Sequence, residues 1–342
     1  MGNSASKKYT SDEELLSNQN NNSHPLLISI DNPINRYSDA FISNLKNKKK
    51  KEIDIQSEQI IEDQLEIPGY SINSIIGRGA ESFVYKGIDI STGEKVAVKV
   101  FKRYDGINQP KEISIAKMMN HKHLLKFLNS FEIQKSTNEK FFIAIMPFAD
   151  YGALNNSDVP EITIMMAIEL LLQIGGALCY MHDKNIIHHD IKPQNILLFN
   201  YGFVLCDFSV SVVLENEDQL LRDRTGTSVF MAPEISQNSY KPKPTDMWSL
   251  GITVFCLLFG KYPYNLGSFD QNPSIPPYIR ITNNVMNYDL EFPENHIIPN
   301  QLKEIITMLL NKNPDERMTA QELIKNDWLK SQIKEWNSLK VN

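Results

Sequence analysis

The chain has 342 residues, 42% of them hydrophobic, and a formal net charge of -6, which is enough apolar material for one large domain or two lobes. That charge offers no general attraction to nucleic acid or an anionic surface, so no nucleic-acid partner is expected and any such contact needs a local basic cluster. Three cysteines without a CxxC pair, Cys179, Cys206 and Cys256, favour a reduced cytoplasmic protein, and neither a signal peptide nor a bilayer-spanning apolar run is expected.

Residues 1–69 are polar, contain NQNNNS and a lysine run ending at Lys51, and read as a disordered arm. Gly2 after the initiator methionine, with Ser6 four residues on, matches the N-myristoylation pattern, with chance as the alternative. One acyl chain binds membranes only marginally, so Lys7, Lys8 and the Lys46 to Lys51 cluster would have to help. The same cluster also reads as a solvated charge run or a nuclear-import signal.

From Tyr70 the pattern changes to short β-prone runs, SINSII, SFVYKGIDI and KVAVKVF, joined by glycine-containing turns, which predict an antiparallel sheet. QPKEISIAKMMNH reads as an amphipathic helix, followed by strands around LLKFLNSFEI and FFIAIMPF. Beyond Tyr151 the chain reads as mostly helical to about Leu329. Within it, Ile164, Ile168, Leu171, Leu172, Leu178 and Met181 recur at helical intervals. The loop HHDIKPQN, His188 to Asn195, comes next, and then ILLFNYGFVLCDF, a hairpin turning at Asn200 to Gly202. A loop held between a buried helix and a hairpin is a rigid mount for polar groups. The fold class expected is α+β: a small antiparallel β lobe with one main helix (about 70–148), a larger, mainly helical lobe (about 149–329), and a short tail (330–342).

GRGAESFV, Gly77 to Val84, joins the first two strands with glycines two apart, a form that lets backbone amides approach phosphates, although many strand turns carry two glycines. Lys99 sits in the apolar strand AVK and needs an anionic partner, for which Glu112 in the next helix is the candidate. With HHDIKPQN and CDFS the set resembles the protein-kinase family from Tyr70 to Leu329.

That resemblance implies ATP and Mg2+ as cofactors and protein hydroxyls as substrates. By it, Lys99 holds the α- and β-phosphates and pairs with Glu112, Asp190 accepts the substrate proton, Lys192 steadies the γ-phosphate, and Asn195 and Asp207 bind the metal. Glu234 pairs with Arg317, and Asp246 anchors the catalytic loop. Gly77, Gly79 and Ser82 cover the phosphates; Val84, Ala97 and Leu197 sandwich the adenine. Met146 is the gatekeeper, and Pro147 and Ala149 supply the hinge carbonyl and amide. Cys206 lies at the back of the pocket, where electrophile labelling is expected against the alternative of an inert buried thiol. His188 is expected to pack in the core rather than act as a base.

Lys192 and GTSVFMAPE are similar to serine/threonine kinases, with Thr227 contacting Asp190 and Lys192. DFSVS, LLRDRTGTSVFMAPE and the segment around NPDERMTAQELIKNDWL look most like calcium/calmodulin-dependent protein kinase kinases, which act upstream of other kinases. The 13 residues after Leu329 leave little room for a calmodulin-binding segment, so no calmodulin partner is expected. Ala153 and Gln194 replace the carboxylates of basophilic kinases, and Met231 replaces the arginine of proline-directed ones. A folded partner, another kinase, read with the help of GSFDQNPSIPPYIR, is the expected substrate.

Three positions depart from the pattern. Ser82 replaces the third loop glycine, Ser209 replaces the glycine of DFG at a cost in backbone freedom, and His189 replaces an arginine. Asp223 stands at the usual phosphosite position, flanked by Arg222 and Arg224 as local compensation, and Thr225 and Ser228 remain available hydroxyls. Basal activity without activation-loop phosphorylation is therefore expected. The competing class is a pseudokinase scaffold, which the intact Lys99, Glu112, Asp190, Asn195 and Asp207 oppose.

Overall fold

The computed structural model describes residues 66–79, 81–101, 104, 107–134, 140–157, 159–264 and 275–340. The N-terminal arm with its myristoylation pattern, and most of GSFDQNPSIPPYIR, lie outside the described residues.

The first lobe is a five-stranded antiparallel sheet of β1 (Tyr70–Arg78), β2 (Ser82–Asp89), β3 (Lys95–Phe101), β4 (Asn129–Gln134) and β5 (Lys140–Pro147), in the order β1-β2-β3-β5-β4. In β3 the period-2 alternation decides everything. Val96, Val98 and Val100 pack with Phe83, Tyr85, Ile143 and Ile145 on one face. Ala97, Lys99 and Phe101 therefore point the other way, toward α1 (Lys111–Lys117) and the second lobe. Ile113 of α1 joins Phe101, Phe142 and Ala144, which seats the helix with Glu112 facing the strand.

The second lobe is built around α2 (Ile164–Asp183), whose first turn is capped by the Thr163 hydroxyl accepting from the Met166 amide at 3.2 Å. This helix has the length and composition of a membrane span, contrary to the expectation of none. It is instead the core helix of the lobe: Ile164, Ile168, Leu171, Ile174 and Leu178 are fully buried. A helix apolar on nearly all sides is what a lobe centre requires.

Across α2 lie β6 (Gly152–Ala153), β8 (Ile196–Phe199) and β9 (Gly202–Leu205), in the order β6-β8-β9, and the pair β7 (Ile186–Ile187) and β10 (Val212–Val213). α3 (Lys243–Phe259) packs against α2 and ends at Gly260, whose φ of 63° closes the helix. α4 (Pro277–Asn287), α5 (Asn300–Leu309) and α6 (Ala320–Lys325), the last opened by a Thr319/Glu322 capping box, complete the lobe. The residues expected as a tail after Leu329 are instead the body of α7 (Asp327–Lys340), with Trp328, Ile333 and Trp336 against the core.

Candidate active site

The loop between β7 and β8 is pinned from below. The buried Asp246 of α3 accepts from the amides of His188 and His189 at 2.9 Å each, and its Oδ2 also meets His182 Nε2 at 2.9 Å. Burial alone would raise the Asp246 pKa, but the His182 hydrogen bond and the neighbouring imidazoles hold it below the ordinary carboxylate value. His188 is buried as expected. Its Nδ1 accepts from the Asp190 amide at 3.2 Å, so Nε2 bears the proton and donates to the Cys206 carbonyl at 3.0 Å. The ring also packs edge-on against Phe208.

Above this floor the predicted polar groups converge. Asp190 Oδ1 accepts from the Thr227 hydroxyl at 2.8 Å and the Thr227 amide at 3.0 Å. Its Oδ2 faces Lys192 Nζ at 2.7 Å and Asn195 Nδ2 at 2.9 Å. Lys192 also donates to the Thr227 hydroxyl at 2.7 Å, which closes a triangle. Gly226 permits that approach: a Cβ there would stand 2.3 Å from the His189 carbonyl.

On the other wall Lys99 is ion-paired to Glu112, both buried. Burial works against the lysine's charge, yet Glu112 and then Asp207 more than offset it and hold its pKa above the ordinary value. Burial pushes the Glu112 carboxyl up against the pull of Lys99. Asp207 is likewise opposed by burial, but Lys99 and Ser209 keep it on the acidic side. Lys99 is thus the firm cation of the pair, shared between two carboxylates.

Ala97, Met146 and Cys206 are buried in one apolar cluster with Val84, Ala149 and Leu197 packed on it, so the residues expected around an adenine ring form a single surface. Met146 lies opposite Ala97, and Pro147 opposite Val96. Gly77 lies opposite Val84, while the Gly79 amide donates to the Ser82 carbonyl at 2.9 Å, closing the glycine loop on itself.

Residues 70–329 match the family model for the protein kinase domain. The chain belongs to the protein kinase family. The kinase is similar to CBL-interacting serine/threonine-protein kinase 20 of Arabidopsis thaliana, 29% identical over 276 residues, 78% of this chain and 59% of that protein. It is also similar to myosin light chain kinase family member 4 of Homo sapiens, 31% identical over 270 residues, 76% of the chain and 66% of that protein. A third relative is the probable serine/threonine-protein kinase pXi of Dictyostelium discoideum, 31% identical over 270 residues, 76% of the chain and 36% of that protein. The kinase thus spans from about a third to two thirds of the length of these relatives. Protein kinases in general use ATP and Mg2+. The residues present fit such a cation. Asn195 Nδ2 donates to the Asp190 carbonyl at 2.7 Å and to its carboxylate, which leaves the amide oxygen to act as a ligand, and Asp207 is held on its charged side.

Several sequence expectations need correction. Cys206 lies in that apolar cluster, where burial first and the charge of Asp207 second push its thiol up, which favours the inert-thiol alternative over the expected labelling. Ser209 carries no backbone cost in this conformation, because the left-handed residue of the motif is Asp207, at φ 66°. Arg224 forms no ion pair with Asp223 among the described residues. Its guanidinium turns to the carbonyls of Ile235, Ser236 and Gln237 at 3.3 to 3.5 Å. Thr225, offered as a phosphosite, has its hydroxyl oxygen sealed from solvent.

Sequence reasoning missed Tyr240. Its backbone pairs with Leu221 through two 3.0 Å hydrogen bonds, and its hydroxyl donates to the Asp223 carbonyl at 2.7 Å. Its ring also lies 6.3 Å from His189, centroid to centroid. Only the position of a lone tyrosine just before the DMWSLG helix could have signalled this. His189, expected to stay neutral, has its pKa lowered by burial, and neither ring nitrogen makes a hydrogen bond of normal geometry among the described residues.

Proposed function

We propose that this chain is an ATP-dependent serine/threonine protein kinase. The observation that carries the proposal is the closed triangle of Asp190, Lys192 and Thr227, set across from the Lys99–Glu112 pair. In the proposed mechanism Lys99 Nζ receives the α- and β-phosphates and Glu112 keeps it in place. Asn195 and Asp207 would hold Mg2+, which would supply charge neutralisation at the phosphates. Val84, Ala97 and Leu197 enclose the adenine, with Met146 behind it and the Pro147 carbonyl and Ala149 amide at its edge. Thr227 orients the Asp190 carboxylate, which takes the proton of the entering hydroxyl. Lys192 Nζ meets the charge that develops on the γ-phosphoryl group. Transfer of this kind needs alignment and charge neutralisation more than a covalent nucleophile, and these are the groups brought together.

Within the family, DFSVS and LLRDRTGTSVFMAPE support a place beside the calcium/calmodulin-dependent protein kinase kinases, with another kinase as substrate. Cytoplasmic location, with weak membrane attachment through Gly2, belongs to the same proposal. The pseudokinase alternative drew support from Ser82 and Ser209, and the relaxed backbone at Ser209 removes part of it. The test is transfer of radiolabelled γ-phosphate to a generic protein substrate. Asp190→Ala should cut the rate by about 10²-fold or more while the protein stays folded, as expected for loss of a proton acceptor in place. Equal incorporation by the wild type and the variant would overturn the reading.

A further inference from the structure

Arg224 is built like an anion receptor. Its Nε and Nη2 groups donate to the carbonyls of Ile235, Ser236 and Gln237, and its guanidinium carbon lies 5.4 Å from the centroid of the Tyr278 ring on α4. Carbonyls and a ring face orient a guanidinium without cancelling its charge. Among the described residues no carboxylate forms an ion pair with Arg224. Its side chain is exposed, and the Nη1 edge is left uncommitted by these bonds. A solvated surface arginine would be mobile; this one has already lost that freedom, so an incoming anion need not order it.

Its position gives the anion a source. Gly226 and Thr227, two and three residues further on, lie against Asp190, the Thr227 hydroxyl being 2.8 Å from the carboxylate. Three residues of extended chain span about 10 Å, so Arg224 lies within about four residues' reach of a peptide whose hydroxyl is at Asp190. Arg222 adds a second exposed cation on the same segment. The two positions from which other kinases bind substrate arginines hold Ala153 and Gln194, neither of them acidic.

We infer that Arg224 is a specificity-determining residue that receives an anionic side chain of the protein substrate within about four residues of the acceptor hydroxyl. This rests on the proposed kinase reading. The shared chemistry is a carboxylate or a phosphate monoester bound through a charge-assisted fork.

The test is a positional peptide series around one serine, with Asp, Glu, phosphoserine, Arg or Ala placed singly at each of the four positions on either side. It is read both as kcat/KM for phosphate transfer and as peptide affinity by fluorescence anisotropy, with wild type, Arg224→Ala and Arg224→Glu. At one or two positions an acidic residue should be favoured over Ala by about fivefold or more. That ratio should fall to about one in Arg224→Ala, and Arg224→Glu should favour Arg at the same position. Preference for Asp and Glu alone would assign a carboxylate, and a larger one for phosphoserine a previously phosphorylated substrate. A ratio unchanged by Arg224→Ala, or a wild type without acidic preference, would overturn the inference and leave Arg224 as a clamp on α4. Arg224-dependent acidic binding with no phosphate transfer would keep the inference and overturn the kinase reading instead.

Discussion

Gly226 has a φ of 107°, and any side chain there would run into the His189 carbonyl, which is itself part of the loop held by Asp246. Neither side of that contact can retreat without moving Asp190 or Thr227. Gly226→Ala should therefore lower kcat by about 10²-fold through misplacement of the Asp190–Thr227 pair, while circular dichroism shows an intact fold. A full rate in that variant would mean the segment relaxes freely. Cys206 makes the opposite kind of prediction. The residue is buried and its thiol is pushed toward the protonated form, so a cis-enone lactone should leave it unmodified in the native protein and label it only after unfolding, as intact mass and peptide mapping would show. Cys206 itself was legible in the sequence as a pocket residue. The extent of its burial was not, because spacing says nothing about desolvation.

The activation segment from Asp207 to Glu234 is held at its middle and its end by neutral or internal contacts. Tyr240 supplies three hydrogen bonds to Leu221 and Asp223, and Glu234 forms a fork with Arg317 at 2.5 and 2.9 Å. His189, uncharged when buried, adds no cation that would have to be neutralised. Phosphatase-treated kinase should accordingly keep most of its initial rate; a large loss, restored by an upstream kinase, would show that these anchors are insufficient. Glu234→Gln, by contrast, leaves the Arg317 charge buried and without its partner, a loss of about 3–5 kcal/mol. A thermal melt should then shift down by about 10 °C. The Glu234–Arg317 pair was readable from MAPE and NPDERMT through the resemblance to protein kinases, and the structure gives its reason, since neither charge can be buried singly. Tyr240 and the true direction of Arg224 were not, because sequence neighbours need not touch. α7 was missed because in KSQIKEWNSLKVN the apolar residues Ile333 and Trp336 stand among polar ones, and only the finished lobe offers them a surface.

Three histidines bear on how the fold responds to acid. His189, His121 and His123 all bind protons less readily folded than free, chiefly through burial, so below their ordinary value of 6.5 the unfolded chain takes up protons first and stability falls. Asp246 and Asp207, held below the ordinary 3.8, contribute fully above that value, and their share is lost as the pH drops through their depressed ones. Urea midpoints should thus decline from about pH 6.5 downward and more steeply below about 4. A flat profile between pH 7 and 5 would contradict the histidine assignment. At this scale the two-lobe plan was visible early, because the period-2 runs up to β5 give way to 3.6-residue periodicity in α2, and the polar groups of the site fall near that change.

Trp248 is stacked on Tyr264 at 5.8 Å with planes 3° apart, and the Arg317 guanidinium lies 5.1 Å from its ring. The remaining two of the three tryptophans, Trp328 and Trp336, are on α7, so the indole signal originates wholly in the helical lobe. Emission of the kinase, excited at its red edge, is therefore a one-sided gauge. A calorimetric peak that passes without a shift in that emission would belong to the β lobe melting by itself, and separate labels would not be needed to time the two halves.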